Sequence, residues 1–172
     1  MTVQHKQEPE PLDRSEVLRA ALDRAAQGEV ADDLAISLRV TGGAPGQHYR
    51  FAFASRGGRV EACSLDCDLS DRHATARDRD GDADMKALTS LGRRLSRSKV
   101  LAVEPQPARF LPDTVVGILE IRVGGMTYRT YFAADPDQAA VQDRTPPAEV
   151  LAAADAVYAT AADVLGIANV RP

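Results

Sequence analysis

Four aspartates alternate around one glycine in the stretch RDRDGDAD: Asp78, Asp80, Asp82 and Asp84 flank Gly81. Hard cations take several carboxylate oxygens, and a glycine lets a loop turn sharply around the ion, so Ca²⁺ is the metal these residues would hold. With Gly81 at the sixth position of an EF-hand loop, the first and twelfth positions fall on Ala76 and Ala87. The bidentate glutamate is missing, and the stretch is not an EF-hand. The competing reading is a solvated loop whose carboxylates gather at the start of the next helix, where the macrodipole favours them. Arg72, Arg77 and Arg79 stand close enough in sequence to neutralise the same aspartates.

The other reactive residue types form no recognisable constellation. Cys63 and Cys67 are the only cysteines. On a straight strand they would lie about 13 Å apart, beyond disulfide reach. A turn between them would permit a bridge or two metal ligands, but no CxxC or HxxxH spacing accompanies them. They read as ordinary small side chains. His5, His48 and His73 are scattered, and no G-x-S-x-G occurs. Gly42, Gly43 and Gly46 do not match a dinucleotide fingerprint, since a strand rather than a helix follows them. Arg93, Arg94, Arg97 and Lys99 gather at one end of a helical pattern. They would suit a phosphate or an acidic partner, or simply complement a helix C-terminus. No aromatic residue interleaves with them, so nucleic-acid bases have no stacking platform.

The elements that must position these residues centre on Thr114 to Ala133, TVVGILEIRVGGMTYRTYFA. Gly124-Gly125 between two alternating runs predicts a two-residue hairpin. That turn sets Val123 opposite Met126, Ile121 opposite Tyr128, Leu119 opposite Thr130 and Gly117 opposite Phe132, on a core face. Glu120 then falls opposite Arg129 and Ile118 opposite Tyr131, on the other face. Leu34 to Val40, His48 to Ser55 and Arg59 to Leu65 predict a three-stranded meander, with turns at Thr41–Gln47 and Gly57-Gly58. Helices are predicted at Arg14–Gln27, capped by Asp13, at Asp84–Ser96, and from Pro146 to a stop at Gly166, with Thr145 as cap. Asp66 to Ala83 reads as a loop. Val100 to Val103 reads as a short strand or buried crossover, and Asp137 to Val141 as a helical turn. The fold class is therefore α+β, with about five antiparallel strands, helices packed on the sheet and a long C-terminal helix. Residues 1–12 read as a disordered tail, polar and proline-containing, and 13–172 as one domain.

Composition bounds the function classes. The 172 residues are 44% hydrophobic and 27% charged, enough for a real core. A net charge of −4 gives no general attraction to nucleic acid or to an anionic membrane. No apolar run approaches the ~20 residues of a membrane span. The N-terminal MTVQHKQEPEPLD lacks the apolar core of a secretory signal. With only two cysteines, this favours a reducing, cytoplasmic setting.

The order of elements is strand, Gly-Gly turn, strand, leucine-spaced helix, hairpin and proline-initiated helix. It resembles that of the small emfourin-type inhibitors of bacterial metalloproteases. The stretches that carry the resemblance are LRVTGG (38–43), the Leu88, Leu91, Leu95 helix, PDTVVGILEIRVGG (112–125) and PPAEVL (146–151). It spans roughly Leu34 to Leu165. The chain adds an N-terminal helix, a third strand and the aspartate loop. The resemblance implies a protease-binding protein and assigns no individual inhibitory residue.

The expected function is a non-enzymatic binding protein acting on another protein, or on a second copy of itself, as inhibitor, adaptor or accessory subunit. The expected contact residues are Ile118, Arg122, Arg129 and Tyr131 on the outer hairpin face, with His48 and Arg50 beside the TGGAPGQ turn. Exposed Tyr and Arg around an apolar pair have the composition of an interface centre. The competing expectation is that the second helix covers this face. Two alternatives stand beside the binding module. One is an enzyme or small-ligand domain with a site assembled in space, and the other is a Ca²⁺-responsive module using Asp78 to Asp84.

Overall fold

The computed structural model describes residues 13–42, 49–56, 59–67, 79–81 and 84–166. The expected tail at 1–12, the Gly57-Gly58 turn and most of the TGGAPGQ turn lie outside them. The first helix, α1 (Arg14–Ala26), begins where expected: the Asp13 carboxylate accepts from the Ser15 amide at 3.0 Å. Its buried stripe is Leu18, Ala21, Leu22 and Ala25.

Among the described residues six strands form one antiparallel sheet: β1 (Ala35–Thr41), β2 (Tyr49–Arg56), β3 (Arg59–Cys67), β4 (Arg79–Gly81), β5 (Val116–Val123) and β6 (Met126–Ala133). Their order is β4-β3-β2-β1-β5-β6. The sixth strand is β4, in the stretch read as a loop. Its Arg-Asp-Gly sequence carries no strand signal. It pairs with the edge of β3, whose backbone groups need partners that an apolar pattern does not advertise. Cys63 and Cys67 sit on the continuous strand β3, opposite Phe53 and Tyr49. No turn separates them.

The hairpin of β5 and β6 has the expected register throughout, including Glu120 opposite Arg129 and Ile118 opposite Tyr131. Gly124 and Gly125 both have positive φ, +57° and +73°, as a type I′ turn demands. The Asp33 carboxylate accepts from the Gly124 amide at 2.7 Å and fastens the turn to the segment before β1. Inserting β1 between β2 and β5 joins the meander to the hairpin.

One face of this sheet is the core, with Ile36, Leu38, Phe51, Phe53, Leu119 and Ile121 at most 2% exposed. Helix α1 lies against β5 and β6. Helix α4 (Ala148–Leu165) lies against β1, β2 and β3. Helix α2 (Met85–Ser98) packs on α1 and α4 through Leu88, Leu91, Gly92 and Leu95. A Cβ on Gly92 would stand 3.0 Å from that of Ala25, so α1 and α2 approach closely there. From α4, Tyr158 meets the Phe51 ring edge-on at 5.6 Å between centroids. Helix α2 is thus on the core side, and no described helix lies against the other face of the sheet.

Several details differ from expectation. Helix α4 starts after Pro147 with no side-chain cap, and Thr145 does not cap it. Each proline pushes the residue before it toward extended backbone, so Thr145 and Pro146 cannot open the helix. Leu151, expected on the buried stripe, is 40% exposed. Val100–Ala102 is not a strand but a 3₁₀ turn with Val100 and Leu101 buried, following Lys99, whose left-handed φ of +58° ends α2. The helical turn near Asp137 is present as α3 (Pro136–Val141), capped by Asp135.

Candidate functional site

Strand alternation sends Ser37 and Arg39 of β1, Arg50 of β2, Ile118, Glu120 and Arg122 of β5, and Arg129 and Tyr131 of β6 to the face opposite the helices. Register lines them up in rows. Arg50, Arg39, Ile118 and Tyr131 succeed one another across four neighbouring strands. The next row runs Ala52, Ser37, Glu120 and Arg129. Ile118 and Tyr131 are half-buried and the four arginines are exposed. Ser37, Arg39, Arg50, Ile118, Glu120, Arg129 and Tyr131 together line a shallow groove of about 280 Å³.

The charges on this face are unevenly matched. Glu120 Oε2 accepts from Arg129 Nε at 2.6 Å and lies 2.5 Å from Nη2. The Glu120 hydrogen bond and charge hold the Arg129 guanidinium above its ordinary pKa, with Tyr131 contributing less. Arg129 is about half exposed, so water screens the pair and it adds at most ~1 kcal/mol. Glu120 is therefore engaged. Arg39 and Arg50 sit directly opposite each other on adjacent strands, and neither forms an ion pair with a described residue. Like charges in that position repel.

Of the residues expected at the site, Ile118, Arg129, Tyr131 and Arg50 come together in this groove, and Arg122 lies one row beyond Glu120 on the same face. His48 lies outside the described residues, as do His5 and His73. Sequence reasoning omitted Arg39 and Ser37. Their outward positions on β1 were legible, but their place beside Ile118 and Glu120 depends on strand order.

A second concavity, of about 490 Å³, lies at the end of β6. Its walls are the segment before β5 and the segment between α3 and α4. The first is tied to the sheet edge: the Tyr131 amide donates to the Gln106 carbonyl at 3.2 Å, and the Gln106 amide to Thr130 Oγ1 at 3.0 Å. The second is tied through α3. Gln138 Oε1 accepts from the Val115 amide at 2.7 Å, and Gln142 Nε2 donates to Thr114 Oγ1 at 2.8 Å. Arg144 stacks over the Phe110 ring at 5.6 Å. No sequence motif marked these residues.

Among the described residues, no group of three or more His, Cys, Asp or Glu stands together as a metal site. Asp84 is engaged as the cap of α2, accepting from the Ala87 amide at 2.7 Å. Asp80 lies on β4 opposite Ser64, and Asp78 and Asp82 lie outside the described residues. In the basic cluster, Arg93 Nη2 donates to the Ala26 carbonyl at 3.4 Å and so serves the end of α1. No described helix is long and apolar enough to cross a membrane. Neither a protein-family model nor a curated protein matches the chain.

Proposed function

We propose that this chain is a non-enzymatic protein-binding module, working as an inhibitor, adaptor or accessory subunit through the open face of its sheet. One observation carries the reading. Ile118 and Tyr131 stand opposite each other on a face that no described helix covers, beside a row of arginines. Aromatic and arginine side chains around an apolar centre are what protein interfaces concentrate. The groove itself is lined by Arg39, Arg50 and Arg129 with Glu120, three positive charges less one negative, or +2, and Asp66 of β3 stands opposite Arg50 in register. An acidic partner surface complements it. A second copy of the same face would set arginine against arginine, which disfavours face-to-face self-association. The resemblance to emfourin-type inhibitors would make the partner a metalloprotease. A cytoplasmic setting belongs to the same proposal and rests on the low cysteine count.

The test is a paired set of variants, Ile118→Ser with Tyr131→Ser and Arg39→Glu with Arg50→Glu, compared with wild type in co-purification from the native host and in sedimentation. Both sets should melt like wild type and lose the same specific partner. The partner's release should also rise with salt, because the attraction is between exposed charges. Unfolding of the Ser pair would show the face to be core, and an undiminished partner in both sets would place the interface elsewhere. A domain binding a small ligand is a second reading, favoured by the separate cleft at the end of β6.

A further inference from the structure

We infer that the cleft at the end of β6 is a binding site for a small ligand that joins a flat apolar body to a carboxylate. Its volume of about 490 Å³ falls in the range of small-molecule sites. The chemistry of its lining is divided. Phe110, Tyr131, Pro107 and Pro146 offer flat apolar surfaces, and Arg109 and Arg144 bring two guanidinium groups. Neither arginine forms an ion pair with a described residue. Asp143, on the same wall, carries a left-handed φ of +50° and so turns the chain just before Arg144.

The cleft is also held in shape before any ligand arrives. Gln106 fixes one wall to β6, while Gln138 and Gln142 fix the other to the segment 114–115. Stacking on Phe110 restricts the Arg144 guanidinium to one region of the wall. A planar guanidinium so held meets a carboxylate through two parallel hydrogen bonds, a geometry that a lysine cannot match. An aromatic carboxylate can lay its ring among the prolines and aromatics and direct its charge at Arg109 and Arg144. This inference is independent of the open-face reading. The two surfaces share only Tyr131, and the arginines differ.

The test is an amide-resolved NMR titration of the full chain with benzoate, benzamide and inorganic phosphate as separate probes. Benzoate should shift the amides of Phe110, Tyr131 and Arg144, and bind more tightly than either of the others. Arg109→Gln with Arg144→Gln should lose about tenfold or more, because a charge-assisted hydrogen bond is worth at least the ~1.4 kcal/mol that tenfold represents. Arg39→Gln, on the open face, should bind benzoate like wild type. Both variants change exposed side chains, and thermal melts confirm their folding. Equal binding of benzamide, phosphate binding as tightly as benzoate, or benzoate binding that survives in the folded double-glutamine variant would overturn the inference.

Discussion

Gly117→Ala sets two opposing effects against each other at one position of the hairpin. Intrinsic preference favours the change, since glycine inside a strand is worse than alanine by roughly 0.5–1 kcal/mol. The structure opposes it. A Cβ on Gly117 would stand 2.2 Å from Phe132 Cζ and within 2.6 Å of both Cε atoms. The Phe132 ring lies over the glycine and is only 6% exposed, so it has little room to retreat. Overpacking of this kind costs typically ~1–3 kcal/mol. The clash should win by about 1–2 kcal/mol, lowering the melting temperature by roughly 2–8 °C in a chain of this size. Phe132→Leu in the same background should recover part of the loss, giving a coupling of at least ~0.5 kcal/mol in a double-mutant cycle. Urea melts of the four proteins measure it. A neutral or stabilising Gly117→Ala, or additivity within ~0.3 kcal/mol, would refute the packing of the ring over the glycine.

Ile121→Ala should cost about 2–5 kcal/mol, because a fully buried side chain leaves a cavity, while Arg122→Ala on the exposed face should stay within ~0.5 kcal/mol; equal losses in denaturant melts would contradict the register. The Tyr128 hydroxyl is buried and makes no hydrogen bond of acceptable geometry with the described residues, although Thr130 lies close enough to oppose part of the burial effect. Tyr128→Phe should therefore raise stability near neutral pH by about 1 kcal/mol. Burial also raises the Tyr128 pKa above its ordinary 10.0. Above that pH the unfolded chain ionises first and binds fewer protons, so stability present below pH 10 is lost as pH rises. Melting temperatures should fall more steeply above pH 10 in wild type than in Tyr128→Phe. Millimolar Ca²⁺ should leave the melting temperature unchanged; a rise that vanishes in Asp80→Asn with Asp82→Asn would restore the aspartate stretch as a metal site.

The local parts of the fold were legible because they rest on short-range rules. Gly124-Gly125 fixes the pairing of Ile118 with Tyr131 through turn geometry alone, and the Asp13 cap needs only its next neighbours. The parts that were not legible depend on partners far along the chain. Nothing in Arg79-Asp80-Gly81 announces a strand, since its pairing is supplied by the edge of β3. That α2 stacks on α1 and α4 is decided where Gly92 meets Ala25, a contact between two helices with a meander between them in sequence. The cleft was invisible for a related reason: Arg109 and Arg144 lie on two loops, held in place by hydrogen bonds of Gln106 and Gln142 to two threonine hydroxyls and of Gln138 to the backbone. Loops carry no periodicity.

The strand order also decides what the open face can do. A meander and a hairpin that stood apart would leave Arg50 and Tyr131 on separate surfaces. With β1 between them, Arg39 becomes the link, flanked by Arg50 on one side and Ile118 on the other. For folding alone this is a poor choice, since two guanidinium groups directly across a ladder repel. Threonine would serve better at an exposed strand position. Glu120, the carboxylate one row away, is engaged by Arg129, and Asp66 of β3, in the same row, stands opposite Arg50 but two strands from Arg39. An outside anion relieves that repulsion, and an acidic segment laid across β1 and β2 would bring its carboxylates to Arg39 and Arg50 while its neighbouring side chains reach Ile118 and Tyr131. The acidic partner proposed for this face would thus meet the pair of side chains that sheet stability explains least.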